Sequence, residues 1–254
     1  MIYVRSLLFN ILFYVTLGVG CAFGSVVGVF SRKATIPMWN RFWMPLCLSY
    51  LKICGIKIEI RGKENIKQEN AIYAVKHQSA LETYCLSSYI TKATFILKKE
   101  LTYIPLFGWA QYFYGMIPVD RSAGGATLKK MLKAAKDRMK SGRPIIIFPE
   151  GTRTKPGLTT EYKPGLVFLY QNMNVPVIPV ALNTGLFWQK NSFLRHPGTI
   201  IIDFLPPMEA GLDKKHFMAE LQKRIEDRCA AINAESIKKY PEAAKMTAQK
   251  EGNK

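Results

Sequence analysis

Three short segments carry side chains able to do chemistry: Lys76-His77-Gln78-Ser79-Ala80-Leu81-Glu82, Gly115 through Arg121, and Phe148-Pro149-Glu150-Gly151-Thr152-Arg153. In the first, a histidine precedes a carboxylate by five residues. An imidazole beside a carboxylate is a general base for a hydroxyl, since its ordinary pKa is about 6.5 and the carboxylate fixes its tautomer and stabilises the imidazolium. Five residues turn a continuous helix by about 500°, so the pair meets only if His77 sits in the turn before a helix, with Ser79 as its cap. The same residues admit a second account, in which Ser79-x-x-Glu82 is a capping box and Glu82 satisfies backbone donors. Likewise Arg153 can simply close a turn through a surface ion pair. Ser79 and Cys85 are the nucleophiles at hand, and Ser79 is better used as a cap. The five cysteines (21, 47, 54, 85 and 229) show no Cys-x-x-Cys spacing and histidines number three, so no metal site and a reducing, cytosol-facing compartment are expected.

Each segment follows a predicted strand. Short apolar runs at Ile56–Ile60, Ala71–Val75, Thr94–Leu97, Met116–Val119, Ile145–Phe148, Val177–Leu182 and Thr199–Phe204 read as strands. Between them Leu81–Ile90, Leu106–Tyr114, Ala126–Met139 and Gly165–Met173 read as helices, and a last helix starts near Asp213 and fades before Pro241. This alternation predicts an α/β fold: a mostly parallel or mixed central sheet covered by helices, with reactive groups in loops at strand ends. On the helix near 126–140, Leu128, Met131, Leu132, Ala135 and Met139 form a buried stripe. Lys129, Lys130, Lys133, Lys136, Arg138 and Lys140 are left for solvent or for anionic lipid headgroups.

The chain of 254 residues carries 36 Lys and Arg against 18 Asp and Glu, a net charge of +18, yet its mean hydropathy is +0.01. Hydrophobic content of 48% excludes a disordered chain, and no motif with interleaved aromatics supports nucleic acid as the partner of the charge. The apolar excess is concentrated in Leu7 to Phe30, a 24-residue run without charge bounded by Arg5 and by Arg32-Lys33. At about 1.5 Å per residue it is long enough for a hydrocarbon core of roughly 30 Å, and longer than the ~7–15 apolar residues of a cleaved signal. Gly20, Gly24 and Gly28 form a small-residue ladder expected to receive the next helix of the same chain. That helix shows Ile36, Trp39, Phe42, Trp43, Leu46 and Cys47 at helical spacing and is kinked at Pro45; it lies in the membrane interface or in the domain core. The basic flank at Arg32, Lys33 and Arg41 predicts that the rest of the chain is cytoplasmic. The expected organisation is a membrane anchor with an amphipathic helix at 1–54, a catalytic domain at 55–240 and a disordered basic tail at 241–254.

The order and spacing of the three segments resemble the glycerolipid acyltransferase family that includes the 1-acylglycerol-3-phosphate acyltransferases. That family's first motif is His-x-x-x-x-Asp, usually preceded by Asn. Its second is a Gly, a short apolar strand and Arg, matched by Gly115–Arg121, and its third is Phe-Pro-Glu-Gly-Thr-Arg, intact at 148–153. A fourth, an apolar strand with Pro, is matched by Val175-Pro176-Val177-Ile178-Pro179-Val180. Two departures stand out: Glu82 replaces Asp, adding a methylene, and Lys76 replaces Asn, placing a cation beside His77.

The resemblance implies a membrane enzyme of phospholipid biosynthesis. It would move a fatty acyl group from acyl-CoA or acyl-carrier protein to the sn-2 hydroxyl of lysophosphatidic acid, giving phosphatidic acid without an acyl-enzyme and without a cofactor. His77 would be the base and Glu82 its partner. Arg121 and Arg153 would bind the acceptor phosphate, assisted by Lys99 and Lys163. Glu150 would orient Arg153 or the glycerol hydroxyl, Gly151 and Thr152 would complete that loop, and Pro179 would lie on the acyl-donor side. Another lysolipid acceptor, such as a lyso-ornithine lipid, is the alternative, and a non-catalytic membrane-binding protein the remote one. The expected partners are the lysolipid, the thioester donor and a bilayer with anionic lipids. The expected location is a bacterial inner membrane, with the catalytic domain facing the cytoplasm.

Overall fold

The computed structural model describes residues 1–120 and 124–247. A seven-stranded sheet runs in the order β1-β7-β6-β2-β5-β3-β4. Its strands are β1 (Ile56–Arg61), β2 (Ile72–Val75), β3 (Thr94–Lys98), β4 (Ile117–Val119), β5 (Ile145–Ile147), β6 (Val177–Leu182) and β7 (Gly198–Phe204). Every pairing is parallel except β6 with β7, so the sheet is mixed. The predicted strands all form, with ends shifted by a residue at most places.

Ten α-helices are described: α1 (Ile2–Phe30), α2 (Arg32–Met38), α3 (Met44–Ser49), α4 (Leu81–Tyr89), α5 (Phe107–Tyr114), α6 (Gly124–Lys140), α7 (Pro164–Met173), α8 (Thr184–Phe187), α9 (Lys214–Lys239) and α10 (Ala244–Thr247). Strand alternation sorts them into two layers. Tyr73, Val75 and Ile146 face a core shared with α1, α3, α4 and α5. Ile72, Ala74, Ile145 and Ile147 face the other core, closed by α6, α7 and α9. The lysine-rich α6 therefore covers the opposite sheet face from α1, burying Met131, Ala135 and Met139.

Helix α1 is apolar enough and long enough to cross a membrane. It is also docked on the domain along its length. Near its start Phe9 and Phe13 are fully buried, both edge-on to Trp188 at 5.3 Å, and Ser6 Oγ accepts from Arg195 N–H at 3.0 Å. Farther along, a Cβ on Gly20 would overlap the Trp43 indole, whose Nε1–H donates to Thr16 O at 2.7 Å. Gly24 meets Trp39 and Gly28 meets Phe113 of α5, so the glycine ladder receives side chains of this same chain. The opposite face of α1 leaves Leu7, Ile11, Val15, Val19 and Val26 exposed. After α2 the chain widens into a π-turn at Trp39–Trp43 immediately before Pro45, whose missing N–H interrupts the α-helical ladder.

The tail differs from expectation. Pro241–Ala243 form a 3₁₀ turn and α10 follows, with Ala243 buried and Met246 O accepting from Gln189 Nε2 at 3.3 Å. Apolar contacts at Ala243 and Met246 hold this stretch against the domain. The remainder of the tail lies outside the described residues.

Candidate active site

The parallel strands β2, β5, β3 and β4 point their carboxyl ends to one edge of the sheet, where the chain segments singled out in the sequence converge. Lys76 and His77 leave β2, Glu150 to Arg153 leave β5, and Lys99 leaves β3. Arg121, after β4, lies outside the described residues.

His77 sits in the turn between β2 and α4, and its Nδ1 lies 2.8 Å from Glu82 Oε1. The same oxygen accepts from the N–H groups of Gln78 and Ser79, each at 2.8 Å. Glu82 Oε2 accepts from Thr184 Oγ1 at 2.8 Å, and the carboxylate has no exposed surface. The two accounts of Glu82 are compatible in geometry: one carboxylate caps the turn and contacts the ring. Helix α4 begins at Leu81, and Ser79 Oγ accepts from Leu81 N–H at 3.2 Å, so the capping serine stands one residue earlier than a standard N-cap. The His77 ring stacks on Phe148, with centroids 3.9 Å apart and planes 21° apart. With Nδ1–H given to Glu82, Nε2 is the nitrogen left to take a proton.

Phe148 to Gly151 form a tight turn closed by Gly151 N–H to Phe148 O at 3.0 Å, and Gly151 adopts φ of +70°, a conformation that favours glycine. This turn presents Gly151, Thr152 and Arg153 beside His77 at a cavity of about 390 Å³. Leu17 of α1, Trp39, Met44, Phe107 and Met116 line it too, with Asn40, Ser87 and Gln111 among them, so the lining is more apolar than polar. Among the described residues Arg153 forms no ion pair. Lys98 and Lys190 also line the cavity; neither carried a motif that marked it.

Several expected roles are not supported by position. Glu150 is 2% exposed and faces away from Arg153: it bonds Lys76 Nζ at 2.9 Å, His77 N–H at 3.0 Å and Thr154 Oγ1 at 3.1 Å. Lys76 is not beside the imidazole, because consecutive residues at a strand end point to opposite faces. Its ammonium, 1% exposed, lies on the α9 side and meets Glu226 at 2.7 Å. Pro179 is buried within β6, paired with Ala74, and lines no part of the cavity. Lys99 is exposed and 3.8 Å from Asp120, and Lys163 is an exposed residue capping α7; neither lines the cavity. Cys85 is fully buried and burial pushes its thiol far above the usual range, which removes it as a nucleophile. Thr184 and Glu226 lie 102 and 150 positions from the residues they hold, and no local sequence pattern marks such partners.

A family model described as Acyltransferase matches residues 57–183. A 1-acyl-sn-glycerol-3-phosphate acyltransferase of Pseudomonas aeruginosa is 36% identical over 196 residues, covering 76% of this chain and 74% of that protein. A protein of the same name from Cocos nucifera is 33% identical over 159 residues, covering 62% of this chain and 51% of its own length. The crystal structure of the 1-acyl-sn-glycerophosphate acyltransferase of Thermotoga maritima superposes with a TM-score of 0.74 at 22% identity, over 92% of this chain and 98% of that one.

Proposed function

The chain belongs to the acyltransferase family, and on that footing we propose that it transfers a fatty acyl group from a thioester, acyl-CoA or acyl-carrier protein, to the sn-2 hydroxyl of lysophosphatidic acid. The observation that carries this reading is the His77–Glu82 contact at a cavity whose lining is more apolar than polar, with Arg153 beside it. The acceptor hydroxyl gives its proton to His77 Nε2 as its oxygen attacks the thioester carbonyl. Glu82 stabilises the imidazolium, and the backbone N–H groups of Thr152 and Arg153 stabilise the oxyanion. When the tetrahedral intermediate collapses, the C–S bond breaks and the thiolate leaves with the proton held on His77. No acyl-enzyme is needed, and the buried Ser79 and Cys85 take no part. Arg153, with Arg121, offers the planar fork that binds the acceptor phosphate through paired bonds.

The lysolipid acceptor enters from a bilayer and the product returns to it. The docking of α1 supports an arrangement in which that helix lies along one leaflet with the domain rather than crossing alone. Its exposed apolar face continues into Phe42, Tyr103, Trp109 and Tyr112, aromatic side chains suited to the interface. In this arrangement the domain stands on the cytoplasmic side of a bacterial inner membrane.

A matrix of lysolipids and thioester donors tests the proposal. Release of free thiol that depends on lysophosphatidic acid, forms phosphatidic acid and is lost in His77→Ala is expected. Transfer to no lysolipid refutes acyltransfer; transfer only to a lysolipid without phosphate refutes the assigned acceptor.

A further inference from the structure

Behind the site, on the side away from the cavity, lies a buried ionic cluster that the acyl-transfer steps do not use. Lys76 Nζ bonds Glu150 Oε1 at 2.9 Å, both Glu226 oxygens at 2.7 and 2.9 Å, and Leu158 O at 2.9 Å. Glu226, from α9, also accepts from Tyr162 OH at 3.1 Å. Glu150 then holds the backbone of the catalytic histidine. Its Oε2 accepts the His77 N–H at 3.0 Å, while its Oε1 accepts from Thr154 Oγ1 at 3.1 Å. Thr154 closes the loop by donating its own N–H to His77 O at 2.8 Å. His77 is thereby clamped at both its N–H and its C=O by the segment that also carries Arg153.

We infer that Lys76 is a positioning residue for this acyl transfer: held in place by Glu226, it keeps Glu150 charged and in place, and through Glu150 it fixes the His77 backbone and the Arg153 turn. The inference rests on the acyltransferase reading. A charged carboxylate without its cation is costly to bury, whereas a neutral pair of similar shape is tolerated. The groups facing Glu150 are Lys76 and His77 from the end of β2, Thr154 from its own loop, Tyr162 from the segment before α7, and Glu226 and Cys229 from α9. Of these, Lys76 is the cation in direct contact with the Glu150 carboxylate. Burial raises the Glu150 carboxyl above its ordinary range and Lys76 pulls it back. In Lys76→Met that restraint is gone and Glu150 takes up a proton at higher pH.

The experiment compares kcat/KM against pH for the full chain, with lysophosphatidic acid and acyl-CoA, in wild type, Lys76→Met, Lys76→Gln, Lys76→Met/Glu150→Gln and Glu226→Gln. In Lys76→Met the acid limb is expected to move up by about one to three pH units, a loss of roughly tenfold or more near neutrality that recovers in alkali. Glu226→Gln removes an anion that shares Lys76 with Glu150, so its limb does not move up. The double variant, whose amide still accepts the His77 N–H and does not titrate, returns the limb to its wild-type place and is more active than Lys76→Met. An unmoved limb in folded Lys76→Met, or a double variant no better than the single, overturns the inference. If Lys76→Met does not fold, Lys76→Gln, which also removes the cation but keeps a polar side chain, decides, and an unmoved limb overturns it. Absence of transfer by the wild type refutes the acyltransferase reading instead; the clamp is then read from the His77 amide resonance, which an intact clamp in Lys76→Gln would leave unshifted, against the inference.

Discussion

Glu82→Asp is the substitution for which family resemblance and geometry disagree most. Aspartate is the residue the family motif usually holds, so resemblance alone predicts little effect. In this structure one carboxylate oxygen collects three donors, His77 Nδ1–H and two backbone N–H groups, each at 2.8 Å, and the other takes Thr184 at 2.8 Å. Both ends of that arrangement are fixed, because Glu82, Ser79 and Thr184 have no exposed surface. Removing a methylene withdraws the carboxylate by about 1.5 Å, one C–C bond. A contact stretched by that much passes beyond hydrogen-bonding range, so the shorter side chain cannot keep both the turn and the ring. The bond to the ring is charge-assisted and worth about 1.5–3 kcal/mol, which converts to a fall in kcat/KM of roughly 10- to 150-fold. The assay is steady-state thioester consumption with lysophosphatidic acid, beside a thermal melt to confirm folding. A folded Glu82→Asp protein within about twofold of wild type would refute the claim that this site is built around the longer side chain.

Thr184→Val removes one buried donor from Glu82 at nearly constant volume; the Tm is expected to fall by about 4–10 °C, read by calorimetry, with kcat reduced less than in Glu82→Asp. Burial, and then the nearby Arg195 charge, hold His196 below its ordinary value of 6.5. The folded chain therefore resists protonation there: stability is full above the unfolded value and drains away as pH falls through the lower folded one, so His196→Gln flattens the acid side of a Tm-against-pH curve. Reversing charge at Lys129, Lys133 and Lys136 leaves sedimentation with anionic vesicles nearly unchanged, since α6 covers the sheet face opposite α1. Trp109→Ser, on the exposed face of α5, weakens it several-fold.

The strands were legible as short apolar runs buried on both sheet faces, as in Ile200, Ile201 and Ile202 of β7, and most helices by apolar residues at helical period, as in Leu221, Ile225 and Cys229 of α9. The His77–Glu82 contact was legible only as a condition, that the histidine precede the helix. Local spacing states such a condition; the backbone path leaving β2 meets it.

Other assignments depended on which way a side chain points once neighbouring strands are in register. Lys76 and His77 are adjacent in sequence yet serve opposite sides of the sheet, so the cation expected beside the imidazole braces it from behind through Glu150. Glu150 belongs to the most distinctive motif in the chain, but its neighbours in space are Lys76 and Thr154, not Arg153. The basic stripe of α6 was evident from residue types alone, whereas its separation from the apolar surface of α1 follows from the handed crossover that places α6 on one sheet face.

The sequence by itself determined composition, periodicity and the identities of the reactive groups, because each is local to the chain. Tertiary structure alone decided which acid faces which base and what lies between the helices and the membrane. Those are contacts between residues far apart in the chain, such as Lys76 with Glu150 and Glu226, set when strands pair and each sheet face chooses its cover.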